Sequence, residues 1–316
     1  MPELDPKTVL KRYRSAKERR VEWEIHWREC YEYALPQRGT SGPGGGGGNR
    51  RGDKLFDGTA PDAVDQLAAG LLSQLTPPWS RWFGLAAGPE ISPELREAFD
   101  GDLEKACLGL QSHFDRSNFA VEMHQCYLDL VTVGTASLLF EEASVGSSSA
   151  FRFTAVPLGQ LVLEEGAEGR LDTTFRCNGL TLAHLQARFP GFQAPDDLSR
   201  RAKEDPEARF PVIEAVVPEA LGYAYMAVLD GQGASGPLVL SKGQFERSPF
   251  INFRWLKAPG EAYGRSPVMK ALPDIKTANK VVELVLKNAS IAVTGIWQAD
   301  DDGVLNPATV KLVPGA

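Results

Sequence analysis

The block Gly260-Glu261-Ala262-Tyr263-Gly264-Arg265-Ser266-Pro267, with the 267–293 segment behind it, constrains this chain more than any other feature. Two glycines bracket an aromatic residue and a fixed cation; Ser266-Pro267 then supplies an N-cap and a first-turn proline. The segment that follows reads as a long helix with divided faces. At about 100° per residue, Lys276, Lys280, Glu283 and Lys287 share a narrow stripe. Ala271, Ala278, Val281, Val282, Val285, Ala289 and Ala292 fall on the other side, a small, β-branched face suited to close packing against a neighbour. Asp274 interrupts that face near its start.

A chain of 316 residues can hold two or three domains and a real core. The net charge of -7 argues against a protein whose main task is to grip nucleic acid electrostatically. It leaves room for one that lets nucleic acid slide past, where strong phosphate contacts would act as a brake. No apolar run approaches the ~18 residues of a membrane span, and the N-terminus lacks the pattern of a signal peptide. Cys30, Cys107, Cys126 and Cys177 form no CxxC pair and read as reduced, buried thiols of a cytoplasmic fold. His26, His113, His124 and His184 show no metal-ligand spacing, so no metal and no cofactor are expected.

The chain opens with a helix expected over 6–35, capped by Asp5 and striped by Val9, Tyr13, Ala16, Trp23, Trp27 and Tyr31. Its first half is basic (Lys7, Lys11, Arg12, Arg14, Lys17, Arg19, Arg20), which reads as a solvated face or a surface for DNA or an acidic partner. The Gly-rich run 41–54 fails as a phosphate loop because Lys54 is followed by Leu55, where Walker A needs Ser or Thr. A second helix starts at Thr59 and is expected to bury Val64, Leu67, Ala68, Leu71, Leu72 and Leu75. Trp79, Trp82 and Phe83 read as a buried hinge, with base stacking as the alternative.

Helices are expected at 93–116 and 119–133, the second broken by Gly134. Strands are expected at 136–142, 151–156, 161–164, 173–177, 213–217, 223–229, 238–240 and 250–255, with a short helix at 182–189. Beyond the long helix, 294–299 and 309–313 read as short strands around Asp300-Asp301-Asp302-Gly303, which fails as a calcium loop because position twelve is Lys311. The plan is α+β. No motif composes a catalytic site, and the paired carboxylates Glu141-Glu142 and Glu164-Glu165 read as solvated charges.

In this order, the motifs resemble the head-to-tail connecting, or portal, proteins of short-tailed, podovirus-type bacteriophages. The likeness is carried by the 30–36 segment Cys-Tyr-Glu-Tyr-Ala-Leu-Pro, the helix before Trp79 and Trp82, the 131–140 helix-to-strand turn, the 250–255 strand and the Gly260–Ser266 block. The resemblance implies a non-enzymatic ring subunit, usually of a dodecamer, at one capsid vertex, through which double-stranded DNA is packaged and ejected without sequence specificity. Its implied partners are the terminase large subunit, a tail adaptor, and the major capsid and scaffolding proteins, with no membrane. It also implies a wing over 1–263 (helices in 1–135, mixed β in 136–263), a stem helix over 264–293 and the start of a clip over 294–316. The family's second stem helix, channel-constricting segment and crown are expected to be missing.

Gly260, Glu261, Tyr263, Gly264, Arg265 and Ser266 would then form the wing–stem junction, with Arg265 expected to pair locally with Glu261. Ala278, Val281, Val282, Val285 and Ala289 are the subunit-packing candidates. Lys276, Lys280, Glu283 and Lys287 face either a DNA channel or an outer, solvent-facing wall. The competing reading is a nucleotide- or nucleic-acid-binding module built on the Gly-rich loop and the basic first helix.

Overall fold

The computed structural model describes residues 4–38, 54–230 and 236–294. The two strands and acidic turn expected after 294, and the Gly-rich run up to Asp53, lie outside these. The described residues form an α+β fold of seven α-helices and two antiparallel sheets.

Helix α1 (Pro6–Ala34) starts where expected, its Asp5 carboxylate accepting the Thr8 N–H. Helices α2 (Thr59–Leu75), α3 (Pro93–Arg116) and α4 (Phe119–Val133) follow, and Gly134 ends α4 in the left-handed region (φ 76°). Strands β1 (Thr135–Glu142), β2 (Phe151–Ala155) and β8 (Phe250–Arg254) make a small sheet of order β2-β1-β8. Strands β3 (Leu161–Glu164), β4 (Thr173–Leu180), β5 (Phe210–Glu219), β6 (Gly222–Leu229) and β7 (Leu238–Phe245) form the second sheet, in sequence order. Helices α5 (Leu182–Arg188) and α6 (Asp196–Glu204) cover one face of it, and α7 (Pro267–Thr294) ends the described chain.

Helix α1 explains its own charge pattern. Its basic half lies on the five-stranded sheet, where Val9, Leu10, Tyr13 and Ala16 pack with Phe175, Ile213 and Met226. Its aromatic half enters a separate core with α2, α4, β1 and the start of α7. Arg12 and Arg19 both reach Glu164 (2.7 and 2.8 Å), and Arg14 reaches Asp230 (3.0 Å). Arg20 is buried against Glu24 and the carbonyls of Leu158 and Leu161. Arg20 is thus committed to the interior, whereas Arg12, Arg14 and Arg19 pair within the chain yet stay 40–64% exposed, so much of the basic half is a solvated face.

Four expectations need correcting. Glu164 and Glu165 are ion-paired rather than solvated: Glu164 with α1, Glu165 with Arg254 (2.8 Å) and Lys257 (2.7 Å). Helix α2 buries Val64 and Ala68 but leaves Leu67 and Leu75 exposed, because α4 covers only part of its apolar face. In the aromatic cluster, Trp82 stacks on Phe119 and meets Phe83 and Phe114, whereas Trp79 is 72% exposed. Helix α6, whose described residues bury no side chain, is an addition to the expected elements.

The α1–α4 core continues into α7 through Val268, Met269 and Leu272, so the chain crosses position 263/264 inside one core.

Candidate functional site

The site consists of α7 and the turn that launches it. The turn is built around two glycines from distant parts of the chain. A Cβ on Gly134 would collide with the Gly264 carbonyl, and a Cβ on Gly264 with the Gly134 carbonyl, so the two backbones touch only because both residues are glycine. Hydrogen bonds seal the contact: the Gly264 N–H donates to Thr135 Oγ1 (2.8 Å) and the Trp255 N–H to the Gly134 carbonyl (2.9 Å). Ser266 Oγ donates to the Thr132 carbonyl (2.8 Å) and accepts the Met269 N–H (2.9 Å), so one hydroxyl caps α7 and ties it to the end of α4.

Tyr263 anchors the turn from the other side. Its ring sits edge-on to Trp27 (4.9 Å between centroids) and near Trp23, and its hydroxyl accepts the Leu163 N–H (3.1 Å). Burial pushes this phenol up to about 12. Arg265 pairs with Glu261 (2.5 Å) and lies over the Trp23 ring (4.7 Å). Arg254 donates to the Glu261 and Ala262 carbonyls and so fixes the turn from β8. Gly260 adopts φ 81° in open space, where its value is conformational freedom alone.

Helix α7 divides into two halves. In the proximal half, Val268, Met269, Leu272 and Asn279 are buried, and by helical angle they center on the side that also carries Lys276 and Glu283. The polar stripe thus runs along the side facing the chain's own body. Lys276 is held there by Glu29 (2.9 Å) and lies near the Tyr33 ring. Farther along, Lys280 (3.0 Å) and Lys287 (2.5 Å) both grip Glu283, whose carboxyl they hold below the usual range, leaving the triad one net positive charge.

The opposite side is apolar and exposed. Ala278, Val281, Val285 and Ala289 are exposed and Val282 half-buried, with Leu284, Leu286, Ala292 and Val293 exposed beside them. At about 100° per residue these nine side chains span about 200° of the helix circumference, with Asn288 the one polar residue of the described distal half inside that span. Val285 is 60% and Val293 79% exposed.

Two site features were missed in the sequence. Pro273 lies inside α7, and Asn279 is buried with its amide bonded to the backbone of 54–57. An Asn on the buried line of a helix is a signal for a specific partner, but the partner lies more than 200 positions away. No group of three or more metal-ligating side chains occurs among the described residues. The four cysteines are free and buried, and burial pushes Cys30 up to about 12, which keeps it a thiol.

The chain is 25% identical over 287 residues to a probable portal protein of Bordetella phage BPP-1 and 24% identical over 296 residues to the portal protein of Salmonella phage epsilon15. Each comparison covers 87% of this chain and 51% of the relative, so the chain spans about half the length of the curated relatives it matches. The family model for the bacteriophage head to tail connecting protein matches residues 6–316. On that match, along nearly its whole length, the chain belongs to the bacteriophage head-to-tail connecting, or portal, protein family.

Proposed function

We propose that the chain is a subunit of a portal ring at one capsid vertex, a conduit for double-stranded DNA during packaging and ejection. The observation that carries this reading is the width of the apolar arc on distal α7. A helix meeting one partner needs an apolar stripe about 100° wide, and this arc is about twice that. Such an arc suits a helix flanked on both sides, as in a head-to-tail ring where each subunit offers two different surfaces. Ala278, Val281, Val282, Val285 and Ala289 are the packing residues in this account. The tight root at Gly134 and Gly264 launches every copy of the helix from the same point of the fold.

Lys280, Glu283 and Lys287 supply weak, sequence-independent contacts to phosphate, while Lys276 is paired with Glu29 of α1 and so is turned away from that role. The ring, of twelve copies by family precedent, docks the terminase large subunit and a tail adaptor and meets the major capsid and scaffolding proteins. It assembles in the host cytoplasm and ends in the virion. The role is structural rather than enzymatic. Negative-stain imaging of the purified chain tests the reading: rings with a central hole are expected, and a population of compact monomers at all concentrations would contradict it.

A further inference from the structure

Among the described residues, Asn279 is the last buried residue of α7, at 5% exposure, and its side chain serves a segment far away in sequence. Its Oδ1 accepts the N–H groups of Phe56 (2.7 Å) and Asp57 (3.1 Å), and its Nδ2 donates to the Lys54 carbonyl (2.9 Å). That segment leads directly into α2, where the Asp57 carboxylate accepts the Thr59 N–H (3.0 Å) and hydroxyl (2.7 Å). At the same level Lys54 pairs with Glu32 (2.6 Å) and Lys276 with Glu29 (2.9 Å), both on α1.

Between this point and the Ser266 root lies Pro273. Proline has no N–H, so the helical bond to the Met269 carbonyl is lost, and the ring crowds that carbonyl. Thr277 Oγ1 donates back to the Pro273 carbonyl (2.9 Å), a second bend-promoting contact. A root before the proline cannot by itself aim the helix beyond it.

We propose that Asn279 is a positioning residue that fixes the direction of distal α7 across the Pro273 flex point and couples that direction to the start of α2. Relative strength favors it over its neighbors. The Lys276–Glu29 pair is more than a third exposed on both sides and contributes little. The Asn279 amide makes three shielded bonds, and losing it strands the backbone groups of Lys54, Phe56 and Asp57 without their partner. The inference deepens the proposed assembly surface and rests on that reading only for what the distal half is for.

Pulsed electron–electron distance measurements on the full chain test it, with nitroxides on Val21→Cys and Ala292→Cys, two exposed positions. The labeled chain is diluted with unlabeled chain so that only intrachain distances are read. The parent should give one narrow distribution. Asn279→Ala should broaden or shift it by about 10 Å, the swing of the ~28 Å lever from Pro273 to position 292 through ~20°. Asn279→Asp, which keeps both acceptor bonds, should move it less. Adding Pro273→Ala to Asn279→Ala should narrow the distribution again by restoring a continuous helix, a rescue that a merely stabilizing role does not predict.

An unchanged distribution in the folded Asn279→Ala variant, or failure of Pro273→Ala to narrow it, would overturn the proposal. Should Asn279→Ala not fold, Asn279→Asp decides alone: a distribution broader than the parent's supports the role, and an identical one overturns it. These distances are independent of assembly. Loss of rings with a parent-like response therefore counts against the proposed function only, and intact rings with unmoved distances against Asn279 only.

Discussion

The two halves of α7 share one helix and solve opposite problems. The proximal half is saturated with partners from its own chain: a glycine–glycine contact, a hydroxyl that caps and tethers at once, a buried phenol and a buried amide. The distal half satisfies its charges on itself, through the Lys280–Glu283–Lys287 triad, and leaves its apolar side chains exposed. Changes at the root should therefore damage folding. Changes on the distal arc should damage association while sparing the fold.

The largest effect that could break this contrast is at the root. Gly134→Ala meets both a left-handed φ and the Gly264 carbonyl, and should cost about 4 kcal/mol or more, read as a collapse of the thermal midpoint. A near-normal midpoint would mean the two backbones can part cheaply. Next comes Val285→Asp, which would place a carboxylate in the proposed contact at a cost of several kcal/mol to association. At an exposed position the same change should alter the subunit's own stability by no more than about 0.5 kcal/mol. Val282→Asp should act alike on assembly but cost the subunit more, since Val282 is half-buried.

Tyr263→Phe sharpens the comparison by isolating one bond at the root. Losing the acceptor for the Leu163 N–H should cost about 1–3 kcal/mol in chemical denaturation, with association intact. Its alkaline behavior is distinctive. The folded phenol sits at about 12, above the ~10 of an unfolded tyrosine, so the unfolded chain releases this proton first. Stability linked to Tyr263 is thus complete below pH ~10 and lost as the pH rises through ~12, amounting to about 2–3 kcal/mol. The gap between the parent and Tyr263→Phe should narrow over that window, and a constant gap would reject the assignment. The smallest effect is expected from Lys280→Gln with Lys287→Gln, within about 0.5 kcal/mol in stability and with normal assembly, but with altered packaging or ejection of DNA.

What was legible in the sequence was local chemistry. The Asp5 and Ser266 caps, the stop at Gly134, the bounds of α4 and the start of α7 follow from residues within a turn of one another. What stayed hidden was pairing over distance. Glu164 and Glu165 look like any acidic turn until α1, β8 and the turn after β8 deliver their cations from 89 to 152 positions away. The signature glycine at 264 reads as a flexible turn, but its reason is the backbone of Gly134 lying against it. Periodicity revealed that α2 has an apolar face without revealing how little of it α4 covers. The stripe on α7 was clear, whereas its direction toward the chain's own body depended on where Asn279 and Lys276 find partners.

The most direct test of the division within α7 is to measure particle mass and thermal midpoint together for the parent and Val285→Asp. The parent should be ring-sized, and the variant should have single-subunit mass and melt within a degree or two of unassembled parent. A variant that assembles like the parent, or one that loses mass and melting temperature of the subunit together, would contradict it.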